Sequence, residues 1–229
     1  MLSGSAMDPE AGPEAGEVRC ARERREVIAT ARRMTDDRLV VGTSGNVSVR
    51  CGDLVAVTPS GVDYDQLRLR DIPLVDLDGV VVDGELKPTS ELPMHLVAYR
   101  EHDAGAVVHT HSLHATALSL LRDDVPAVHY QLADYGGSVA VAEYATFGSD
   151  ELARSVSAAL AGRTGCILRN HGTVTTGDTL GKAYNRARQL EWLCELWLTA
   201  SRVGEPRLLD DAELARCVDL FSGYGQTPR

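Results

Sequence analysis

The sequence of 229 residues holds no apolar run near the roughly 20 residues that a membrane-spanning helix needs, so no such span is expected. Its opening, MLSGSAMDPEAGPEAGEV, has neither a basic start nor an apolar stretch. No secretory leader is read there, and a cytoplasmic location is expected. Paired cysteine spacings are also missing. Cys20, Cys51, Cys166, Cys194 and Cys217 are odd in number, widely spread and free of any CxxC pair. That excludes a Cys₄ zinc site and makes free thiols in a reducing compartment the simplest reading. Lysine occurs only as Lys87 and Lys182, neither in a setting that would activate an amine nucleophile. Basic residues are outnumbered, 23 against 33 acidic, for a net charge of −10. A nucleic-acid partner, which demands clustered Lys and Arg, is not expected. One small phosphorylated molecule is still allowed, because backbone N–H groups can hold a phosphate without a basic surface.

What is present is enough apolar material, 44% of the residues, for one large core without an internal repeat. Residues 1–17, rich in Gly, Pro, Ala and Glu, read as a disordered tail. Helical patterning follows over residues 18–34, then a Gly-rich turn, Gly42-Thr-Ser-Gly-Asn46, leading into alternating Val47-Ser-Val-Arg50. Further strands are expected at 54–58, 72–77, 80–82, 106–111, 125–130, 138–141 and 166–169, with Asp78-Gly79 marking a hairpin. Helices are expected at 91–100 (N-capped by Thr89-Ser90), 112–121, 149–160, 178–201 and 211–221. Strands and helices in this irregular alternation predict a single α/β domain: a mixed central sheet flanked by helical layers.

The chemistry concentrates in Val107-Val108-His109-Thr110-His111. Residues two apart on a strand face the same way, so His109 and His111 can present their imidazoles together. His171, at a strand end before Gly172, is a third candidate that would leave a coordination position open. On spacing alone, a metal and a pair of packed histidines are equally good readings. Glu91 stands in the first turn of a helix, where it could serve as an acid–base group or merely complement the helix dipole. His95 shares its helical face; His114 lies beyond the strand and suits a supporting role.

Five motifs taken in order decide between these readings: Gly42-Thr-Ser-Gly-Asn-Val-Ser-Val-Arg50, Thr58-Pro-Ser-Gly61, Pro88-Thr-Ser-Glu91, Val107-Val-His-Thr-His111 and Asn170-His-Gly172. Together with His129-Tyr130 and Ala145-Thr-Phe-Gly148, the set resembles the class II aldolase/adducin family over residues 18–225, in the branch acting on L-fuculose 1-phosphate. The resemblance implies a family domain over 18–229, one Zn²⁺ per chain on His109, His111, His171 and Glu91, and Glu91 as the proton-transfer group. It implies phosphate-holding loops at Gly45-Asn46, Ser60-Gly61 and Thr89-Ser90. It places Phe147 in the pocket, Tyr130 at a neighbouring subunit's site, and Phe221 and Tyr224 on a C-terminal tail closing over substrate. The implied activity is a lyase of carbohydrate metabolism, cleaving a ketose 1-phosphate to dihydroxyacetone phosphate and an aldehyde in a homotetramer with shared sites. A methylthioribulose 1-phosphate dehydratase and a non-catalytic adducin-like binding module are the alternatives. Glu91 departs from the aspartate of the epimerase branch, and Ser60 from a threonine. The segment Gln131-Leu-Ala-Asp-Tyr-Gly-Gly137 also differs, so Asp134 and Tyr135 are expected to bear on which aldehyde half is accepted.

Overall fold

The computed structural model describes residues 18–221. Eight strands form one sheet: β1 (Asn46–Cys51), β2 (Leu54–Val57), β3 (Leu74–Val75), β4 (Val81–Asp83), β5 (Ala106–Thr110), β6 (Val141–Ala142), β7 (Gly165–Leu168) and β8 (Gly172–Gly177). Their spatial order is β4-β3-β2-β1-β5-β8-β7-β6. Neighbours are antiparallel except β6 and β7, so the sheet is mixed, as expected. Six helices cover it: α1 (Ala21–Asp36), α2 (Leu92–Glu101), α3 (Leu113–Ser119), α4 (Asp150–Leu160), α5 (Leu180–Ser201) and α6 (Asp211–Phe221).

Strand alternation sends side chains to two layers. Val47, Val49, Ala56, Ala106 and Val108 pack with Val27, Ala31 and Met34 of α1 and with Ala183, Tyr184 and Ala187 of α5. Val55, Val57, Val107 and Val174 face the other way, onto Leu92, Met94, Leu96 and Tyr99 of α2 and Leu152 and Val156 of α4. A third cluster joins Ala115 and Leu118 of α3, Leu190 and Leu193 of α5, and Leu214 of α6. At roughly 1.5–3 kcal/mol for each large apolar side chain, these layers hold the sheet's centre rigid. The site is built on that centre.

Four expectations are corrected. The helix expected at 91–100 starts at Leu92, and Glu91 is its N-cap residue with no capping side-chain bond; its carboxylate is committed elsewhere. Residues 125–130 are not a strand. That edge makes one isolated bridge, Asp124 with Ala140, and then turns into a 3₁₀ helix (Tyr130–Tyr135) whose first turn the His129 ring caps by accepting from Gln131 N. Strand β8 was not expected, because Gly-Thr-Val-Thr-Thr-Gly lacks the apolar alternation of an ordinary strand; all six of its residues are nonetheless buried. Finally, Cys20 and Cys51 are not free thiols: they form a disulfide. The start of α1 meets the end of β1, a tertiary proximity that spacing along the chain does not reveal. Cys166, Cys194 and Cys217 are free and buried, as expected for the remaining thiols.

The disulfide closes a segment with a sequence separation of 31 residues. Loop-closure entropy for such a ring amounts to about 3–4 kcal/mol. Reduction, or Cys51→Ser, is expected to lower the melting temperature measurably while leaving the far-ultraviolet circular dichroism of the folded protein unchanged. An identical melting curve with and without reductant would contradict this.

Candidate metal and active site

Three imidazoles converge from one strand and its end, and from one turn. His109 lies on β5, flanked in register by Asn46 of β1 and Val174 of β8, and is fully buried. Its Nδ1 bonds the Thr173 carbonyl at 2.9 Å, which fixes the ring tautomer and leaves Nε2 as the free lone pair aimed into the site. His111 follows at the mouth of the same strand. His171 sits in the tight turn between β7 and β8, where Asn170 adopts a left-handed φ of 58° and His171 N donates to Leu168 O. Gly172 is required there: a Cβ would come 1.9 Å from the Thr110 carbonyl oxygen. The three rings stand edge-on to one another, with centroids 4.7–4.9 Å apart.

Glu91 completes the cluster from the loop before α2. Two hairpin-like segments are stitched together by Ser60 N to Lys87 O, Thr89 N to Thr58 O and the Pro59–Pro88 bridge. Glu91 N donates to Thr89 Oγ1, and this turn carries the carboxylate inward. Its Oε2 is 3.1 Å from His109 Nε2 and accepts from Asn46 Nδ2 at 2.9 Å. Its Oε1 is buried without a hydrogen-bond partner, with His171 Nε2 3.3 Å away. The Nε2 atoms of His109 and His111 are 2.9 Å apart, and those of His111 and His171 3.1 Å. A tetrahedral zinc with arms of 2.0–2.1 Å would space its ligands roughly 3.3–3.4 Å apart. All four ligand atoms lie within 4.8 Å of one another, so the residues fit a divalent cation.

Electrostatics agree with that fit. Burial tends to raise the Glu91 pKa, but the facing His109 ring first, and then the polar contacts with His171 and Asn46, outweigh it and hold the carboxyl well below its usual range. Burial first, then the charges of His109 and His171, push the His111 pKa down to about 3, so its ring is neutral and its lone pair available. The structure thus gathers one carboxylate and three imidazole rings around one point, the donor set of a metal centre.

Beside this cluster opens a cavity of about 320 Å³ lined by Thr43, Ser44, Gly45, Asn46, Pro59, Ser60, Gly61, Thr89, Ser90, Glu91, His111, Tyr144, Ala145, Phe147, Asn170 and His171. Among the described residues no lysine or arginine lines it. Gly45 is pressed against Val40 Cγ1 and the His109 carbonyl, at 2.4 and 2.8 Å from where a Cβ would stand, and Tyr64 OH donates to its carbonyl. Gly148, with φ of 72°, lets the Phe147 turn rest on the Ser90 carbonyl.

The sequence-derived residues therefore divide. Glu91, His109, His111 and His171 meet, and Gly45, Asn46, Ser60, Gly61, Thr89, Ser90 and Phe147 share their cavity. Tyr130 and Phe221 do not: with ring centroids 6.3 Å apart, they border a separate cavity with Asp134, Lys182 and Arg186. Tyr224 lies outside the described residues. Asp134 pairs with Arg186 at 2.8 Å and Tyr135 is fully buried, its hydroxyl donating to Arg186 O; neither lines the metal-side cavity of its own chain. His114 bonds Glu191 at 2.8 Å, a structural tie between α3 and α5. Tyr144 at the cavity mouth and the Thr173 carbonyl behind His109 were not anticipated. A backbone acceptor leaves no trace in residue identity, and Tyr144 stands just outside the quoted Ala145-Thr-Phe-Gly148.

Among the described residues no helix is long and apolar enough to cross a membrane. Residues 25–198 match the family described as Class II Aldolase and Adducin N-terminal domain. The chain is 41% identical over 204 residues to the L-fuculose phosphate aldolase of Escherichia coli (strain K12), covering 88% of this chain and 94% of that one. It is 41% identical over 205 residues to the 5-methylthioribulose-1-phosphate/5-deoxyribulose-1-phosphate aldolase of Rhodospirillum rubrum, covering 88% and 92%. A solved L-fuculose 1-phosphate aldolase superposes with a TM-score of 0.86 at 37% identity, over 88% of this chain and 97% of that one. The chain belongs to the class II aldolase/adducin family and is a metal-dependent lyase of its fuculose-phosphate aldolase group.

Proposed function

We propose that the protein cleaves a ketose 1-phosphate between C3 and C4, with zinc on His109, His111, His171 and Glu91, to give dihydroxyacetone phosphate and an aldehyde. The observation that carries this reading is the partnerless Glu91 Oε1 at the meeting point of three imidazoles, beside a cavity that no lysine or arginine lines among the described residues. When bound, a divalent cation supplies a Lewis acid that polarises the ketose carbonyl. The rest is assigned to the chain. Backbone N–H groups and hydroxyls at Gly45-Asn46, Ser60-Gly61 and Thr89-Ser90 hold the phosphate, which orients C2 and C3 toward the cluster. Glu91 takes up the C4 hydroxyl proton as the C3–C4 pair shifts toward C2 and the aldehyde leaves, and then returns that proton to the three-carbon fragment at C3. Phe147 and Tyr144, both exposed at the mouth, meet the distal carbons.

The ketose 1-phosphate end is common to the substrates named for the relatives, while their distal carbons differ. A 5-deoxyribulose or methylthioribulose 1-phosphate and L-fuculose 1-phosphate are therefore the sugars this site is read to take. Tyr130, Phe221 and Tyr224 are assigned to a neighbouring subunit's site in a homotetramer, in keeping with the position of Tyr130 and Phe221 away from their own chain's cluster. We place the protein in the cytoplasm, where sugar phosphates, being charged, are retained by membranes. A binding module would need neither the carboxylate nor the three lone pairs.

Two outcomes are expected. Given 5-deoxyribulose, methylthioribulose and L-fuculose 1-phosphates, the zinc-loaded protein yields dihydroxyacetone phosphate from at least one; loss of water without carbon–carbon cleavage would make it a dehydratase instead. Glu91→Gln keeps its fold but loses roughly 10²–10⁴-fold in kcat, the usual worth of a positioned proton-transfer group. A folded, zinc-loaded variant with unchanged turnover would contradict the assignment of Glu91.

A further inference from the structure

Behind Glu91 runs a line of buried polar side chains that the cleavage scheme does not use. Asn46 Nδ2 donates to Glu91 Oε2 at 2.9 Å. Asn46 Oδ1 is 2.5 Å from His95 Nε2, His95 Nδ1 is 2.7 Å from Ser48 Oγ, and Ser48 Oγ is 2.7 Å from Tyr99 OH. Asn46 is 4% exposed, Tyr99 3%, and His95 and Ser48 0%, so water does not compete for these bonds. The elements explain the line. His95 and Tyr99 are spaced one turn apart on α2, the helix that begins just after Glu91, while Asn46 and Ser48 point the same way from β1.

The direction of every bond in this line is fixed from one end. A carboxylate only accepts, so the Asn46 amide must turn its NH₂ toward Glu91 and its Oδ1 away. Oδ1 accepts, so His95 Nε2 must carry the hydrogen. A neutral ring then has its lone pair on Nδ1, Ser48 O–H donates to it, and Tyr99 O–H donates to Ser48. Burial, followed by the charge of His109, lowers the His95 pKa to about 3, in keeping with a neutral ring. Each member is satisfied, and no second arrangement satisfies all of them.

We propose that His95 is a positioning residue for the reaction: through its Nε2–H it locks the Asn46 amide, and the amide in turn sets the orientation of the Glu91 carboxylate toward the metal and the substrate carbon. The proposal rests on the reading of Glu91 given above. His95 touches neither substrate nor metal, and its effect is transmitted through one amide. A histidine is suited to this because its two nitrogens span the gap between Asn46 and Ser48 on a rigid ring, donating at one end and accepting at the other.

The test uses full-length, zinc-loaded enzyme and two polar replacements of different reach. The amide of His95→Gln extends to where Nε2 stands and can still donate to Asn46. The amide of His95→Asn ends near Nδ1, meets Ser48 and leaves Asn46 without its donor. His95→Asn is expected to lose about 10- to 100-fold in kcat with KM for the ketose 1-phosphate unchanged, and to release zinc more readily to a competing chelator. His95→Gln is expected to keep most of both. In a Glu91→Gln background His95→Asn should cost no further kcat, since the group it acts through is gone. Equal kcat for the Asn and Gln variants, or the same loss repeated in the Glu91→Gln background, would overturn the positioning role and leave Glu91's own role standing. Full turnover in Glu91→Gln alone would instead remove the reading on which the proposal rests.

Discussion

A carboxylate withdrawn from water must be met by positive charge or by donors, or its burial is prohibitively costly. Glu91 is 5% exposed, and its Oε1 has no hydrogen-bond partner among the described residues. Around it stand three imidazole nitrogens, and a cation at the centre would satisfy all four groups at once. Nearly every feature near the site serves to hold these groups in place. The Thr173 carbonyl fixes the tautomer of His109, and the left-handed Asn170 with side-chain-free Gly172 turns His171 inward. Asn46 restrains the carboxylate from the opposite side.

The same constraint accounts for the absence of lysine and arginine, among the described residues, from the lining of the cavity beside Glu91. A protein cation beside Glu91 would compete with the metal for its charge. In the proposed function the phosphate is held by dipoles, which three short loops lining the cavity would supply: one before β1, one after β2 and one before α2. Cross-bonds between residues 58–60 and 87–89 make two of these loops a single rigid rim. The disulfide from Cys20 to Cys51 closes a ring that contains the third. Preorganised N–H groups of this kind lose little entropy when a ligand arrives.

How much of this was legible in the sequence depends on the kind of signal involved. Strand periodicity placed His109 and His111 on one face, and motif order supplied Glu91, His171 and the three loops. The α/β class with a mixed sheet followed from the alternation of elements. Strand β8 escaped because five of its six residues are Thr or Gly, and its place in the sheet is set by β5 and β7 rather than by its own pattern. The Cys20–Cys51 bond escaped because it depends on where α1 crosses β1. His95 was seen only as a residue on the face of Glu91. Its link to Asn46 joins two elements 49 residues apart, and no local rule could pair them.

The central claim is that Glu91 and the three histidines hold one cation between them. Anomalous diffraction from crystals grown with zinc and without chelator, recorded on both sides of the zinc absorption edge, tests it directly. The account predicts a single strong site per chain, about 2.0–2.1 Å from the Nε2 atoms of His109, His111 and His171 and within ligand distance of a Glu91 oxygen. Zinc bound elsewhere, or a cluster closed by hydrogen bonds among its own side chains with no anomalous density at its centre, would contradict it.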